Sequence, residues 1–383
     1  MKVCPTYGPG FFYIPGTDQC IKVGGRVRAD YVAGSAASAQ VTPVTRADAL
    51  NVFRARAYLY MDQRQNTEYG LLRTYGRLSF TGDNAAGGTA LFEFAYIQLG
   101  GFTFGKFQSP YENVYYSNGW IPYGLNGEGA MDNTSGNGLA YTASLGNGVT
   151  ATLAIRAGDE IRSAPTTAGI TNINASGQAA PDGVAAVEIA QSWGKAKLSG
   201  AVHQVRYNNI TGVARPSTDY GYGGSLGIQI NLPMIAAGDF IGVSGQYSNG
   251  AAMYGGAGTF RGGQSALAIP DAVATAAGVS KLTKVWSVNG GFDHYWTKTV
   301  DTNIFAGYAS AENSLAGAGT SKANHYTIGQ YTKWTPIAGL QIGIETDYRK
   351  NGGGAVRQYG IATGGKVTEL SDWSGRLRVQ RDF

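Results

Sequence analysis

The feature that most constrains the fold of this chain is a two-residue alternation of apolar and polar side chains that recurs along its length. Such alternation gives a β-strand one apolar face and one polar face. Most of the alternating segments are about ten residues long, which is the length that a tilted strand needs to cross a bilayer. We assign sixteen of them, approximately 21–31, 52–63, 69–80, 90–99, 102–107, 139–145, 149–156, 184–192, 195–205, 220–232, 240–248, 284–296, 299–310, 323–334, 340–348 and 373–383.

The connections between these segments alternate between long and short. Long connections lie near 32–51, 81–89, 108–138, 157–183, 206–219, 249–283, 311–322 and 349–372. In the short connection after Leu145, Asn147-Gly148 is a tight-hairpin signal. Outer-membrane barrels show this alternation, with long extracellular loops and short periplasmic turns, whereas a β-sandwich has no reason to show it. We therefore predict an all-β fold, a sixteen-stranded antiparallel transmembrane β-barrel, wide enough to hold an aqueous channel.

Composition agrees with a membrane barrel and argues against helical folds. Glycine supplies 58 of the 383 residues, about twice the usual share of about 7%, and it weakens helix interiors. Mean hydropathy is −0.15, and we find no apolar run of about 18 residues that could span a bilayer as a helix. Propellers and β-helices would show a fixed-period repeat, which we do not find. The net charge of +5 is modest, and a barrel would turn its basic residues inward, so we expect no nucleic-acid partner.

The two cysteines mark a separate N-terminal segment. Cys4 and Cys20 flank an aromatic, glycine-rich stretch, and such a close pair predicts a disulfide formed in an oxidising compartment such as the periplasm. Two free thiols are the alternative. We expect residues 1–20 to form a periplasmic segment and residues 21–383 to form the barrel. An outer-membrane protein needs a signal peptide and none is seen here, so we expect Met1 to stand in place of one.

A group of arginines shares the polar face of the first three predicted strands and of the last. Its members are Arg26, Arg28, Arg54, Arg56, Arg73, Arg77, Arg376 and Arg378. An arginine on the lipid face costs about 2–4 kcal/mol at the bilayer midplane, so these side chains should face water. Barrel closure makes the last strand a neighbour of the first, and we predict one basic wall that lines the pore. Scattered solvated charges on a soluble sheet are the alternative.

The third long connection, 108–138, contains acids but no lysine or arginine. Its acids are Glu112, Glu128 and Asp132. We predict that it folds inward as a constriction loop opposite the basic wall, where the two would set up a transverse field that favours dipolar solutes. An ordinary extracellular loop is the alternative. Three more acids have inward parity: Glu93, Glu345 and Asp347. They offset the arginines, so the direction of ion selectivity is not predicted.

Four stretches carry motifs that are typical of one known protein family. They are 3–25, from V-C-P-T-Y-G to C-I-K-V-G-G; 67–78, T-E-Y-G-L-L-R-T-Y-G-R-L; 94–102, F-A-Y-I-Q-L-G-G-F; and 379–383, V-Q-R-D-F. Together they resemble the alphaproteobacterial porin family. The resemblance implies a trimeric general diffusion porin of the bacterial outer membrane that passes small hydrophilic solutes, with arginines facing an acidic third loop.

The last strand also indicates which partners we expect. A barrel of this kind lies in outer-membrane lipid and lipopolysaccharide, and its terminal aromatic, here Phe383, resembles the signal that the barrel-assembly machinery reads. Trp373, Leu377 and Val379 share the apolar face that would meet the lipid.

An enzyme is the alternative from another class. The three histidines, His203, His294 and His325, lie on distant strands and lack metal-ligand spacing. Residues 223–227 match the hydrolase pattern G-x-S-x-G, but that pattern needs a strand–turn–helix elbow. Here it lies within a predicted strand, and Ser225 faces inward. We therefore predict no enzyme, no metal and no cofactor.

Two smaller expectations concern the lumen and one loop. A channel selective for one solute class, such as oligosaccharides, would show a ladder of lumenal aromatics, for which Tyr58, Tyr60 and Tyr75 are candidates. In the long connection 249–283, the stretch from Pro270 to Gly278 could form a short helix, because proline favours helix starts and glycine favours helix ends.

Overall fold

A closed barrel of sixteen antiparallel strands makes up most of the chain. The computed structural model describes residues 2–34, 50–83, 86–115, 117, 125–126, 135–160, 162–163, 166–167, 176–209, 214–256, 259–262, 265–275, 277–315, 319–353 and 369–383. The barrel strands are β1 (Cys20–Gly34), β2 (Asn51–Thr67), β3 (Gly70–Asp83), β4 (Ala86–Leu99), β5 (Phe102–Gln108), β6 (Ser135–Gly146), β7 (Val149–Arg156), β8 (Asp182–Gln191), β9 (Gly194–Val205), β10 (Asp219–Asn231), β11 (Phe240–Asn249), β12 (Lys284–Thr297), β13 (Val300–Leu315), β14 (Gly319–Ile337), β15 (Leu340–Gly352) and β16 (Glu369–Asp382).

Each strand pairs with the next along the chain, and β16 pairs with β1 to close the sheet. The predicted fold class is therefore confirmed. Several strands run beyond the predicted segments; β2 continues to Thr67, into the short connection after it, and β14 begins at Gly319, inside the predicted long connection before it. Within the described residues, no helix has the length and hydropathy needed to span a membrane.

Burial along the strands is the reverse of that in a soluble protein. On β16, Leu377 is 46% exposed, whereas Arg376 and Arg378 beside it are buried. The same alternation recurs around the barrel, with exposed aliphatic and aromatic residues outside and buried charged and polar residues inside. An apolar outer band around a polar interior is the arrangement that a lipid bilayer stabilises.

The short turns follow from local backbone preferences. Gly146 pairs with Val149 across the hairpin between β6 and β7. The two residues between them, Asn147 and Gly148, have φ values of 50° and 75°. Asparagine and glycine reach these positive values at least cost, so this pair specifies the tight turn that joins two right-twisted strands.

The N-terminal segment is attached to the start of β1 and contacts the end of β2. The predicted disulfide is present, with Cys4 and Cys20 bonded and their Cα atoms 6.2 Å apart. Phe12 pairs with Ile21 at the start of β1. Phe11 is buried, and the Arg64 guanidinium lies 4.9 Å from the centre of its ring. The division into a periplasmic segment 1–20 and a barrel 21–383 stays a prediction.

The long connections contain short strands of their own. One small sheet joins Thr166–Thr167, Ala272–Ala274 and Ser280–Leu282. The predicted helix between Pro270 and Gly278 is therefore wrong, because residues 272–274 are extended. Their backbone groups pair with strands on both sides, and this pairing prevails over the local helix signal.

Candidate pore lining

The chain after β5 turns into the barrel and packs on its inner wall. We call residues 109–134, between β5 and β6, the third loop. Tyr111, Glu112 and Asn113 are each at most 4% exposed. On β9, Ser199 Oγ donates a hydrogen bond of 2.8 Å to the Tyr111 carbonyl. The predicted inward folding is therefore seen for the described start of this loop.

The loop rests on small residues of β10. Asn113 Nδ2 donates to Ser225 Oγ at 2.9 Å. A Cβ atom at Gly227 would lie 2.5 Å from Asn113 Oδ1 and 2.9 Å from the Tyr115 ring, and one at Gly223 would also meet loop atoms. The G-x-S-x-G pattern therefore makes room for the loop, and its serine binds an asparagine.

A second contact lies farther around the wall. Val114 packs against the buried rings of Phe305 on β13 and Tyr331 on β14. Ser117 Oγ lies 3.4 Å from the Tyr331 hydroxyl. The described part of the loop thus contacts β9 and β10 on one side and β13 and β14 on the other, and these contacts hold it inside the barrel.

Of the three predicted loop acids, the structure describes Glu112. Its carboxylate accepts a 2.8 Å hydrogen bond from Gln108 Nε2, and its carbonyl accepts one of 2.9 Å from Lys197 Nζ. Glu128 and Asp132 lie outside the described residues, so the acidic face of the loop as a whole stays a prediction.

The eight predicted arginines stand on four strands that are adjacent in the closed sheet, β16, β1, β2 and β3. Among the side chains that the structure describes, carboxylates lie within ion-pair distance of the following arginines. The pairs and their N···O distances are Arg378–Asp30 2.6 Å, Arg28–Asp30 3.7 Å, Arg77–Glu93 2.5 Å, Arg56–Glu93 4.0 Å, Arg73–Asp62 2.9 Å, Arg26–Asp382 2.5 Å and Arg376–Glu345 3.4 Å. Arg54 lies opposite Asp30 in the β1–β2 register.

This wall is therefore a ladder of mixed charge. Asp30 and Asp62 have the same parity as the arginines, so alternation alone could have placed them on this face. Which arginine each one binds depends on the register between strands, which the alternation does not specify. Arg64, which was not among the predicted residues, also binds Asp62, at 2.7 Å.

Tyr58 stands among the arginines of this wall and is 7% exposed. Four guanidinium groups lie 5.5–6.0 Å from the centre of its ring, those of Arg26, Arg28, Arg56 and Arg77. Its hydroxyl also accepts a 3.3 Å hydrogen bond from Arg56. The ring face attracts these cations and helps to hold them in place.

Aromatic rings continue along the same inner face. Tyr60 lies 6.1 Å from Tyr58, and Tyr75 lies 5.2 Å from Tyr96, measured between ring centres. Tyr96 on β4 extends the candidate ladder of Tyr58, Tyr60 and Tyr75. The β3–β4 pairing shifts between Arg77 and Leu78, which puts both Glu93 and Tyr96 on the inner face, whereas simple alternation would have placed Tyr96 outside.

The three histidines lie apart, on β9, β12 and β14, and each has a polar neighbour. The distances from Nδ1 are 2.9 Å for His203 to Asp182, 2.7 Å for His294 to Asp239 and 2.6 Å for His325 to Asn351. These contacts are between neighbouring elements of the barrel and its connections. Within the described residues, His, Cys, Asp and Glu form no group of three or more suited to a metal ion.

His203 belongs to a buried cluster that ties loops to the wall. Asp182 also accepts a 2.9 Å hydrogen bond from the Tyr254 hydroxyl, and His203 Nε2 lies 3.4 Å from Asp271. The Tyr254 carbonyl in turn accepts a hydrogen bond of 2.6 Å from the Tyr111 hydroxyl of the third loop. The cluster includes residues that are far apart in the chain, so local sequence patterns do not predict it.

Comparison with known proteins agrees with this architecture. Residues 1–372 match the model of the Porin subfamily. Porin Omp2b of Brucella canis is 32% identical over 216 residues, which cover 53% of this chain and 56% of the relative. Porin Omp2b of Brucella abortus is 32% identical over 215 residues, with the same coverage. The chain thus spans about half the length of the curated relatives it matches.

Two solved structures share the fold at low sequence identity. The outer membrane channel DcaP of Acinetobacter baumannii has a TM-score of 0.69 at 13% identity, over 97% of this chain and 99% of that one. The trimer form of OmpT, an outer membrane protein of Vibrio cholerae, has a TM-score of 0.53 at 9% identity, over 96% and 100%. The family match places the chain in the bacterial outer membrane. With 372 of its residues covered by the family model, the chain belongs to the porin family.

Proposed function

We propose that this protein is a general diffusion porin, a water-filled channel through which small hydrophilic solutes and ions pass down their gradients. The observation that carries the proposal is the reversed burial of a closed barrel, whose interior holds charged side chains and an infolded loop. A polar interior of sixteen strands suits an aqueous channel. Passive diffusion needs no cofactor and no catalytic group.

The parts of the pore follow from the same geometry. The third loop would narrow the channel, with Glu112 among its acids, and the wall of arginines on β16 to β3 would stand across from it. The mixed charges would order water at the narrowest level and disfavour apolar molecules. We include Glu128 and Asp132 among the acids of the third loop because the sequence places them there.

We further propose a homotrimer in outer-membrane lipid and lipopolysaccharide. The trimer form of OmpT, which shares this fold, supports the oligomer, and the apolar outer face supports the lipid contact. Phe383, at the end of the chain next to β1, is proposed as the residue read by the barrel-assembly machinery. This residue is 72% exposed.

Liposome swelling tests the proposed function. Vesicles that contain the purified protein should admit neutral sugars at rates that fall steeply with sugar size and do not saturate with concentration. Saturable entry of one oligosaccharide would instead favour the solute-selective channel, for which the lumenal aromatics are the supporting feature. Absence of swelling with every sugar would contradict both channels.

A further inference from the structure

A cavity of about 640 Å³ lies between the third loop and the inner wall. Aromatic residues of β3 and β4 line one side of it, and charged residues of β8 and β9 line the other, with Glu112 and Tyr115 of the loop between them. Gln98 and Thr103, next to the short turn between β4 and β5, place the cavity toward the end of the barrel that carries the short turns.

The aromatic side offers a flat surface. The rings of Tyr75 and Tyr96 are stacked with centres 5.2 Å apart. The Arg73 guanidinium lies 5.0 Å and 5.6 Å from these centres and is held by Asp62 at 2.9 Å. A platform fixed in this way can stack against the ring of a solute without first ordering flexible side chains.

The charged side presents Lys195 and Lys197 of β9 together with Glu188 of β8. Glu188 accepts a 2.8 Å hydrogen bond from the Tyr115 hydroxyl and lies 3.8 Å from Lys197 Nζ. Burial raises the pKa of Tyr115 well above its usual range, and Glu188 adds to this, so the hydroxyl stays a donor. Lys195 Nζ lies 4.6 Å from the centre of the Tyr115 ring and, in the part of the chain that the structure describes, makes no ion pair.

From this arrangement we propose that the cavity is a binding subsite for solutes that carry both a ring and a carboxylate. The ring would stack on Tyr75 and Tyr96, and the carboxylate would bind Lys195. An uncharged ring forms no ion pair with Lys195, and a small linear anion does not stack on the platform, so both should bind more weakly. The inference rests on the proposed diffusion channel, in which such solutes would pause during passage.

The experiment records the ion current through the purified protein in planar bilayers while benzoate is added. Benzamide supplies the neutral ring, and acetate supplies the anion without a ring. Benzoate should interrupt the current in a concentration-dependent way, and the two other probes should do so only at far higher concentration. Lys195→Gln should weaken the apparent affinity for benzoate about tenfold, since a hydrogen bond to a charged group is lost.

Two further variants complete the design. Tyr96→Leu should weaken block by benzoate and leave the response to acetate unchanged, while Lys298→Gln, in an exposed turn, should behave as the wild type. Equal potency of the three probes, or unchanged benzoate block in both Lys195→Gln and Tyr96→Leu, would overturn the subsite. A channel that conducts but ignores benzoate overturns the subsite alone, whereas a protein that never conducts overturns the diffusion channel itself.

Discussion

Two carboxylates of the wall from β16 to β3 each bind two of its arginines. Asp30 lies between Arg28 and Arg378, and Glu93 lies between Arg56 and Arg77. Each shared acid reduces the repulsion between two neighbouring cations and fixes where they point. The charge that a passing ion meets therefore depends on these acids as much as on the arginines.

Neutralising part of the wall should change ion preference. We expect Arg54, Arg56 and Arg73 changed together to Gln to raise the preference for cations, because three positive charges leave the lumen while the acids remain. Reversal potentials across a salt gradient measure the change. The matched control changes three exposed cations to Gln, namely Arg215, Lys281 and Lys298. Unchanged selectivity in the wall variant would contradict the assignment of a pore-lining basic wall.

Asp30→Asn should act in the opposite direction. The side chain is 3% exposed and binds Arg378 at 2.6 Å, so its loss leaves buried guanidinium groups in mutual repulsion. We expect a shift toward anions and a loss of about 3 kcal/mol in the free energy of unfolding. Reversal potential and urea unfolding in lipid check these effects, with exposed Asp159→Asn as the control. If neither the ion selectivity nor the stability changed, the idea that Asp30 organises the wall would be contradicted.

Among the elements, β10 shows how a catalytic pattern can serve packing. Gly223, Ser225 and Gly227 match a hydrolase pattern, but they lie within a strand and Ser225 faces inward. In the fold the same residues make a smooth inward stripe on which the third loop rests, with Asn113 bound to Ser225 at 2.9 Å. The informative signal was glycine at alternate positions of one face, which marks a close approach of other chain atoms.

A side chain on that stripe should push the third loop toward the centre of the pore. A Cβ atom at Gly227 would lie 2.5 Å from Asn113 Oδ1, so Gly227→Val must displace the loop from the wall. We expect lower single-channel conductance. Gly224→Val is the matched control, since the nearest atom to a Cβ there is 3.8 Å away. Equal conductance in the two variants would show that the loop does not set the pore width.

The disulfide should stabilise the N-terminal segment and leave the barrel largely independent of it. Replacing Cys4 and Cys20 with Ser frees a loop of sequence separation 16, which costs the segment about 3 kcal/mol in the loop-entropy description. Hydrogen exchange should then speed up in residues 2–19 while the barrel strands stay protected. Exchange that speeds up throughout the barrel would contradict this division.

Over the whole molecule, the fold was predictable and the detailed pore lining was not. Alternation along each strand and the lengths of the connections depend on local sequence, and they gave sixteen strands in the order found. The partners of Arg73 or Tyr58 depend on register across strands. The cluster of Asp182, His203 and Asp271 joins a distant loop to two neighbouring strands. The third loop packs on Gly227 only when the barrel has closed.

The barrel holds many buried charges because they lie on its inner face. Arg156, Asp182 and Arg349 are each at most 1% exposed, which would be costly for isolated ions. Here the charged residues of the inner face bind one another or the infolded loops, and the apolar residues face outward. The protein thus carries its polar groups inside and depends on lipid outside.

Single-channel conductance in planar bilayers tests most directly the claim that this is a water-filled pore narrowed by its third loop. The wild type should open in discrete, ohmic steps, closing in three equal levels as a trimer would, and deletion of residues 112–132 should enlarge each step. Correctly folded protein that gives no steps, or a deletion that leaves the step size unchanged, would contradict it.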